Sequence, residues 1–133
     1  NVPDKIILAG KRPYSEIPAL IATSDICLLP AYATEKVMQD IVPIKMYEYM
    51  AMRKPVISTR LPGVMKEFGE DNGVVYVSKS GDVVRKAVKM LHDDHMEELG
   101  AKARSFAERY SWDNITDEFE RILGSTTEGK CCF

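Results

Sequence analysis

Four continuous apolar runs punctuate the first 78 residues: IILAG (6–10), DICLLP (25–30), PVIST (55–59) and VVYVS (74–78). None alternates cleanly between apolar and polar positions. Uninterrupted runs of this kind suit strands of a parallel sheet, buried on both faces. Helical signals lie between them. Ser15 suits the cap of a helix over residues 16–22, with Pro18 tolerated in its first turn. Pro43 is placed as the first helical residue of a segment ending near Arg53. Residues 64–68 predict a single turn ahead of the flexible GEDNG. After residue 78 the apolar positions take the helical period throughout. Val83, Val84, Ala87, Val88 and Leu91 form one stripe, and Met96, Leu99, Ala103, Phe106, Ala107 and Tyr110 a second. Trp112, Ile115, Phe119, Ile122 and Leu123 form a third, with Ser111 as its cap and Gly124 as its stop.

Strands alternating with helices predict an α/β fold. The expected form is a Rossmann-like, doubly wound parallel sheet of about four strands, with helices on both faces and a helical C-terminal end. Residues 1–124 are expected to form one domain and residues 125–133 a disordered tail. There is no internal repeat. Four strands make a small doubly wound sheet, and three helices crowd its end, as though the first strands were missing.

Charge narrows the function classes. The chain carries 18 Lys and Arg against 20 Asp and Glu, a net charge of −2. That is too near neutral to argue for nucleic acid or an anionic membrane. No apolar run approaches the roughly 20 residues of a membrane helix. The start, NVPDKIILAG, has no basic region ahead of a hydrophobic stretch, so no signal peptide is read there. Of the three cysteines, Cys27 sits in ICLLP and reads as a buried thiol, while Cys131 and Cys132 are adjacent near the end. Neither their count nor their spacing makes a zinc site or a disulfide framework. A prenylation box would need Cys fourth from the end, where Lys130 stands. These features predict a reducing, cytoplasmic location.

In an open α/β sheet, ligands bind beyond the carboxyl ends of the strands. Three loops occupy such places: KRPY (11–14), with Lys11 and Arg12 as candidate ligand contacts; AYATEKVMQDIVP (31–43); and RLPGV (60–64). The second is long for a loop of this type, and long ordered loops tend to be functional. It leads to the helix starting near Pro43, whose free N–H groups and dipole favour an anion. Lys45 in that first turn opposes the helix dipole, an effect of about 0.3–1 kcal/mol that a bound phosphate would compensate. Glu48 lies one turn on, near enough to pair with Lys45, so spacing alone favours a surface ion pair. Neither the dinucleotide glycine fingerprint, the phosphate-loop pattern nor a nucleophile elbow is present. His92 and His95 in HDDH have metal-compatible spacing, but helix-end histidines of this kind are far more often solvated, and no metal site is expected.

The stretch PIKMYEYMAMRKPVIST resembles the signature of the family 4 (group 1) glycosyltransferases, nucleotide-sugar-dependent enzymes of the GT-B fold. KIILAGKRPYSEIPALIATSDICLLP, RLPGVMKEFGEDNGVVYV and YSWDNITDEFERIL resemble the flanking family blocks, in the right order, over roughly residues 5–123. The family motif places two acids with seven residues between them, and Asp40 and Glu48 have that spacing. The resemblance implies that Glu48 bonds the ribose of the donor nucleotide and that Asp40 contacts the donor sugar. Where the family commonly has Glu followed by G-F-G, this chain has Asp40 followed by Ile41, Val42 and Pro43. It further implies that the backbone at Ile44 and Lys45 holds the diphosphate, and that transfer retains configuration without a metal. No cofactor is implied beyond a nucleotide-diphosphate sugar as donor substrate. Arg53 stands where the family usually has Gly.

The implied partners are a nucleotide sugar and an N-terminal acceptor-binding domain, with peripheral membrane contact only through a parent enzyme. By this resemblance the chain matches the latter two-thirds of a donor-binding domain, truncated on its N-terminal side, and is expected to be inactive alone. Two other readings stay open. One is a non-catalytic nucleotide-binding or regulatory module of the same fold. The other is a subunit completed by a partner chain, including a homodimer through an exposed first strand.

Overall fold

The computed structural model describes residues 5–32, 34 and 36–128. A 3-10 turn at Tyr14–Glu16 runs into helix α1 (Ile17–Ala22), with Pro18 in its first turn. Ser15 falls inside that turn and caps nothing. Strand β1 (Cys27–Leu29) leads through the short helix α2 (Lys36–Gln39) to α3 (Ile44–Ala51). Then come β2 (Val56–Thr59), α4 (Pro62–Phe68), β3 (Val74–Val77), α5 (Asp82–Leu91), α6 (Met96–Glu108) and α7 (Trp112–Glu128). The three strands form one parallel sheet in the order β1-β2-β3, with Leu28 opposite Ile57 and Ile57 opposite Val75.

Strand period 2 divides the core in two. Val56 and Val74 join Met46, Met50, Val64, Phe68, Ala103 and Phe106 from α3, α4 and α6 on one face. Ile57 and Val77 meet Val83 and Met90 of α5 on the other. The architecture is therefore α/β, with helices on both faces of a parallel sheet and a helical C-terminal end, as the periodicity predicts.

IILAG forms no strand, so the sheet has three strands among the described residues where about four were expected. Ile7 and Leu8 are 90% and 91% exposed. A strand is held by ladder bonds to a neighbour and by cover on its faces, and this run has neither. The helix limits also shift. Pro43 is the cap of α3, not its first residue, and α3 ends at Ala51. The single turn expected at 64–68 is a two-turn helix starting at Pro62. Ser111 does cap α7, accepting from the Asn114 N–H at 3.3 Å. Gly124 does not stop it: the helix continues to Glu128, and Ser125 and Thr126 donate to the Ile122 carbonyl. One interior glycine costs a helix only about 1 kcal/mol, so it is a weak stop signal. The expected tail at 125–133 thus begins as helix, and residues 129–133, with Cys131 and Cys132, lie outside the described residues.

Two stripes are not where the core is. In α5 the buried line is Val83 and Met90, while Val84, Val88 and Leu91 are exposed. In α7, Trp112, Ile115, Phe119, Ile122 and Leu123 are all exposed. None of the described helices is long and apolar enough to cross a membrane.

The seam between α3 and α6 sets the position of α3. Arg53 takes the left-handed conformation, φ 58°, where the chain turns out of α3. Its carbonyl oxygen would lie 2.5 Å from a Cβ added at Gly100 in α6. Gly100→Ala must therefore push the helices apart, at a cost of about 1–3 kcal/mol. Alanine's better helix propensity returns up to about 1 kcal/mol. A net loss of roughly 1–2 kcal/mol is expected in urea denaturation, and an unchanged midpoint would show that the seam yields freely.

Candidate functional site

The residues of IKMYEYMA sort themselves around α3 by polarity. Met46 and Met50, fully buried, pin the helix to the sheet. Lys45 is exposed and Glu48 half-buried on the remaining surface. Pro43, extended at φ −70° and ψ 126°, caps the helix without a side-chain bond, which leaves its first turn to a ligand or solvent. The loop before it is braced from below. A Cβ at Gly63 would come within 2.9 Å of the Asp40 carbonyl carbon, so the first turn of α4 packs directly on the Asp40 backbone.

Lys45 and Glu48 line one cavity of about 540 Å³, within the range of small-molecule sites. Its walls come from four elements. Tyr14, Ile17 and Leu20 belong to the turn and α1; Cys27 and Leu28 belong to β1; and Tyr49 follows Glu48 on α3. No ion pair joins Lys45 to Glu48, and neither pairs with any other charged group, among the described residues. The surface ion pair that spacing favours does not form.

Glu48 also borders a second cavity of about 540 Å³ with Ile44, Tyr47, Tyr110 and Trp112. Lys45 and Ile44 border a smaller one of about 340 Å³ with Pro30, Ala31, Ile41 and Leu61, at the carboxyl ends of β1 and β2. Asp40 is exposed and lines none of these three cavities. Lys11 is exposed, and Arg12 is turned back on its own segment, donating to the Ala9 carbonyl at 2.9 Å and lying 3.8 Å from Glu16. Of the KRPY loop it is Tyr14 that reaches the cavity.

Sequence reasoning passed over Tyr14 and Tyr49. Both stand in segments singled out for other residues, and their only signal was an aromatic next to a candidate loop or acid. Burial raises the Tyr49 hydroxyl above the ordinary tyrosine range, with Cys27 and Glu48 adding to the effect. Burial likewise pushes the Cys27 thiol up to about 11, opposed by Lys54, so it is an inert wall residue. His95 Nδ1 lies 2.6 Å from Asp93 Oδ1, an exposed local pair. No group of three or more potential metal ligands forms among the described residues.

The family model for glycosyl transferases group 1 matches residues 1–93. The putative teichuronic acid biosynthesis glycosyltransferase TuaH of Bacillus subtilis (strain 168) is 25% identical over 123 residues. That alignment covers 90% of this chain and 30% of that protein, so the chain spans about a third of its relative's length.

Proposed function

The chain belongs to the group 1 glycosyl transferases, and on that premise we propose that it binds a nucleoside-diphosphate sugar against the start of α3, for transfer of the glycosyl group to an acceptor held elsewhere in a longer protein. One observation carries this reading: Lys45 and Glu48 face one cavity, a turn apart, and do not neutralise each other. A carboxylate is an acceptor for both hydroxyls of a ribose. A helix start and a lysine are donors and positive charge for a diphosphate. As the glycosidic bond breaks, charge develops on that diphosphate. Fixed donors stabilise it without reorganising, so the same contacts that bind the donor also lower the barrier.

In this reading Glu48 holds the ribose, while Lys45 and the α3 backbone at Ile44 hold the diphosphate. Asp40 approaches the donor sugar from the loop braced by Gly63. Transfer proceeds with retention and without a metal. Productive transfer also needs the acceptor placed against the donor, which supplies much of the rate advantage in two-substrate reactions.

Lys45→Met separates these roles. It is expected to weaken binding of nucleoside diphosphates about tenfold while leaving the matching free nucleosides nearly unchanged, because a charge on phosphate is lost and the ribose contact remains. Calorimetric titration with a panel of nucleosides and their diphosphates reads both. A parallel loss for the two ligand classes would show that Lys45 acts through the helix and not on phosphate.

A further inference from the structure

We propose a second ligand site, for an anionic saccharide unit, at the carboxyl ends of all three strands. A cavity of about 580 Å³ lies there, touching the smaller cavity at α3 through Ala31, and neither Lys45 nor Glu48 lines it. It is built by the loops leaving β1, β2 and β3. Thr59 at the end of β2 accepts from the Ala31 N–H at 3.1 Å, which ties the exit of β1 to the sheet and forms the floor. The Arg60 N–H donates to the Val77 carbonyl at 3.0 Å and closes the β2–β3 side. Beyond β3 the chain turns into α5 through two local bonds, Asp82 N–H to the Lys79 carbonyl at 2.9 Å and Val83 N–H to the Ser80 carbonyl at 3.2 Å.

The lining has the chemistry of a sugar contact. Thr34, Ser78 and Ser80 present hydroxyls that both donate and accept, and Tyr32 presents an exposed ring on which the C–H face of a sugar can lie. Charge adds the sign. An adjoining cavity of about 270 Å³ shares Ser78, Asp82 and Arg85 and adds Lys86 and Lys89. Among the described residues the two cavities together carry four cations and one carboxylate. Arg85 is engaged by Asp82 at 3.2 Å, whereas Lys79, Lys86 and Lys89 make no ion pair among the described residues. Lys89 also acts on Asp93, so Lys79 among the hydroxyls and Lys86 in the adjoining cavity are the cations left for a ligand, and they fit a hydroxyl-rich ring bearing a carboxylate or a phosphate. The position, outside the carboxyl ends of parallel strands, is where open α/β sheets hold ligands.

The test is amide chemical-shift mapping of the chain with four probes: glucose 6-phosphate, glucuronate, glucose and inorganic phosphate. One or both of the anionic sugars are expected to give saturable shifts at residues 78–85, and which of them does identifies phosphate or carboxylate as the preferred group. Glucose and inorganic phosphate are expected to bind at least about tenfold more weakly. Lys79→Met, at an exposed loop position, is expected to weaken the anionic sugar about tenfold with unchanged thermal unfolding. Equal affinity for inorganic phosphate would reduce the site to a bare anion contact and overturn the proposal. So would the absence of saturable shifts, or shifts confined to the residues around Lys45. Nucleoside diphosphate binding is read at α3 in a separate titration, so each reading stands or falls by its own result.

Discussion

Glu48→Gln is expected to lower affinity for nucleoside diphosphates by roughly tenfold to a hundredfold. The side chain is half-buried on a helix held by Met46 and Met50, and it makes no ion pair that the substitution would break. The fold should therefore survive a near-isosteric change. What is lost is one of two acceptor oxygens and the charge behind both. Hydrogen bonds to a charged group contribute about 1.5–3 kcal/mol, which sets the size of the loss. Because the contact is to ribose, free nucleosides should lose affinity along with diphosphates, the opposite of the pattern expected for Lys45→Met. Titration calorimetry on both variants distinguishes the two roles. Wild-type affinity in Glu48→Gln would leave Glu48 as a surface residue and remove the ribose contact from the proposal.

Phe68→Ala is expected to cost the fold about 3–5 kcal/mol, a large part of a domain's total of about 5–15 kcal/mol. Phe68 is fully buried at the end of α4 and holds three helices together. Its ring centroid is 4.9 Å from that of Tyr47 on α3 and 5.4 Å from that of Phe106 on α6. Phe106 in turn stacks on Tyr110 at 5.0 Å, and Tyr47 donates its hydroxyl to Glu67. Truncation leaves a cavity in the middle of this chain of rings, on the side of α3 that fixes Lys45 and Glu48. Urea denaturation of Phe68→Ala beside Phe68→Leu would measure the effect. A loss below about 1 kcal/mol in the alanine variant would show that α3, α4 and α6 close over the gap.

The parts of the fold legible in the chain are those whose signal is local. DICLLP, PVIST and VVYVS each contain a strand because a short, β-branched or apolar run between polar breaks has few other ways to bury itself. The α3 segment is legible for the same reason. Pro43 marks its start, and the spacing of Met46 and Met50 leaves Lys45 and Glu48 on another face, whatever surrounds them. The order of strands and helices was enough to choose a parallel α/β sheet, since parallel neighbours need a crossover between them.

Tertiary structure decided what depends on a neighbour. IILAG has as strong an apolar pattern as PVIST, yet PVIST lies between two strands and IILAG pairs with none, so one is fully buried and the other exposed. The stripe of α7 has the period of a core helix, and its side chains nonetheless face outward, because periodicity says which residues share a face and not what covers it. The candidate site divides along the same line. The pairing of an acid with a base on one helix face was written in the spacing of Lys45 and Glu48. That they would share a cavity with Tyr14 and Tyr49 rather than bond each other was not, because those walls come from the 3-10 turn, α1, β1 and α3, brought together only by the packing of helices on the sheet.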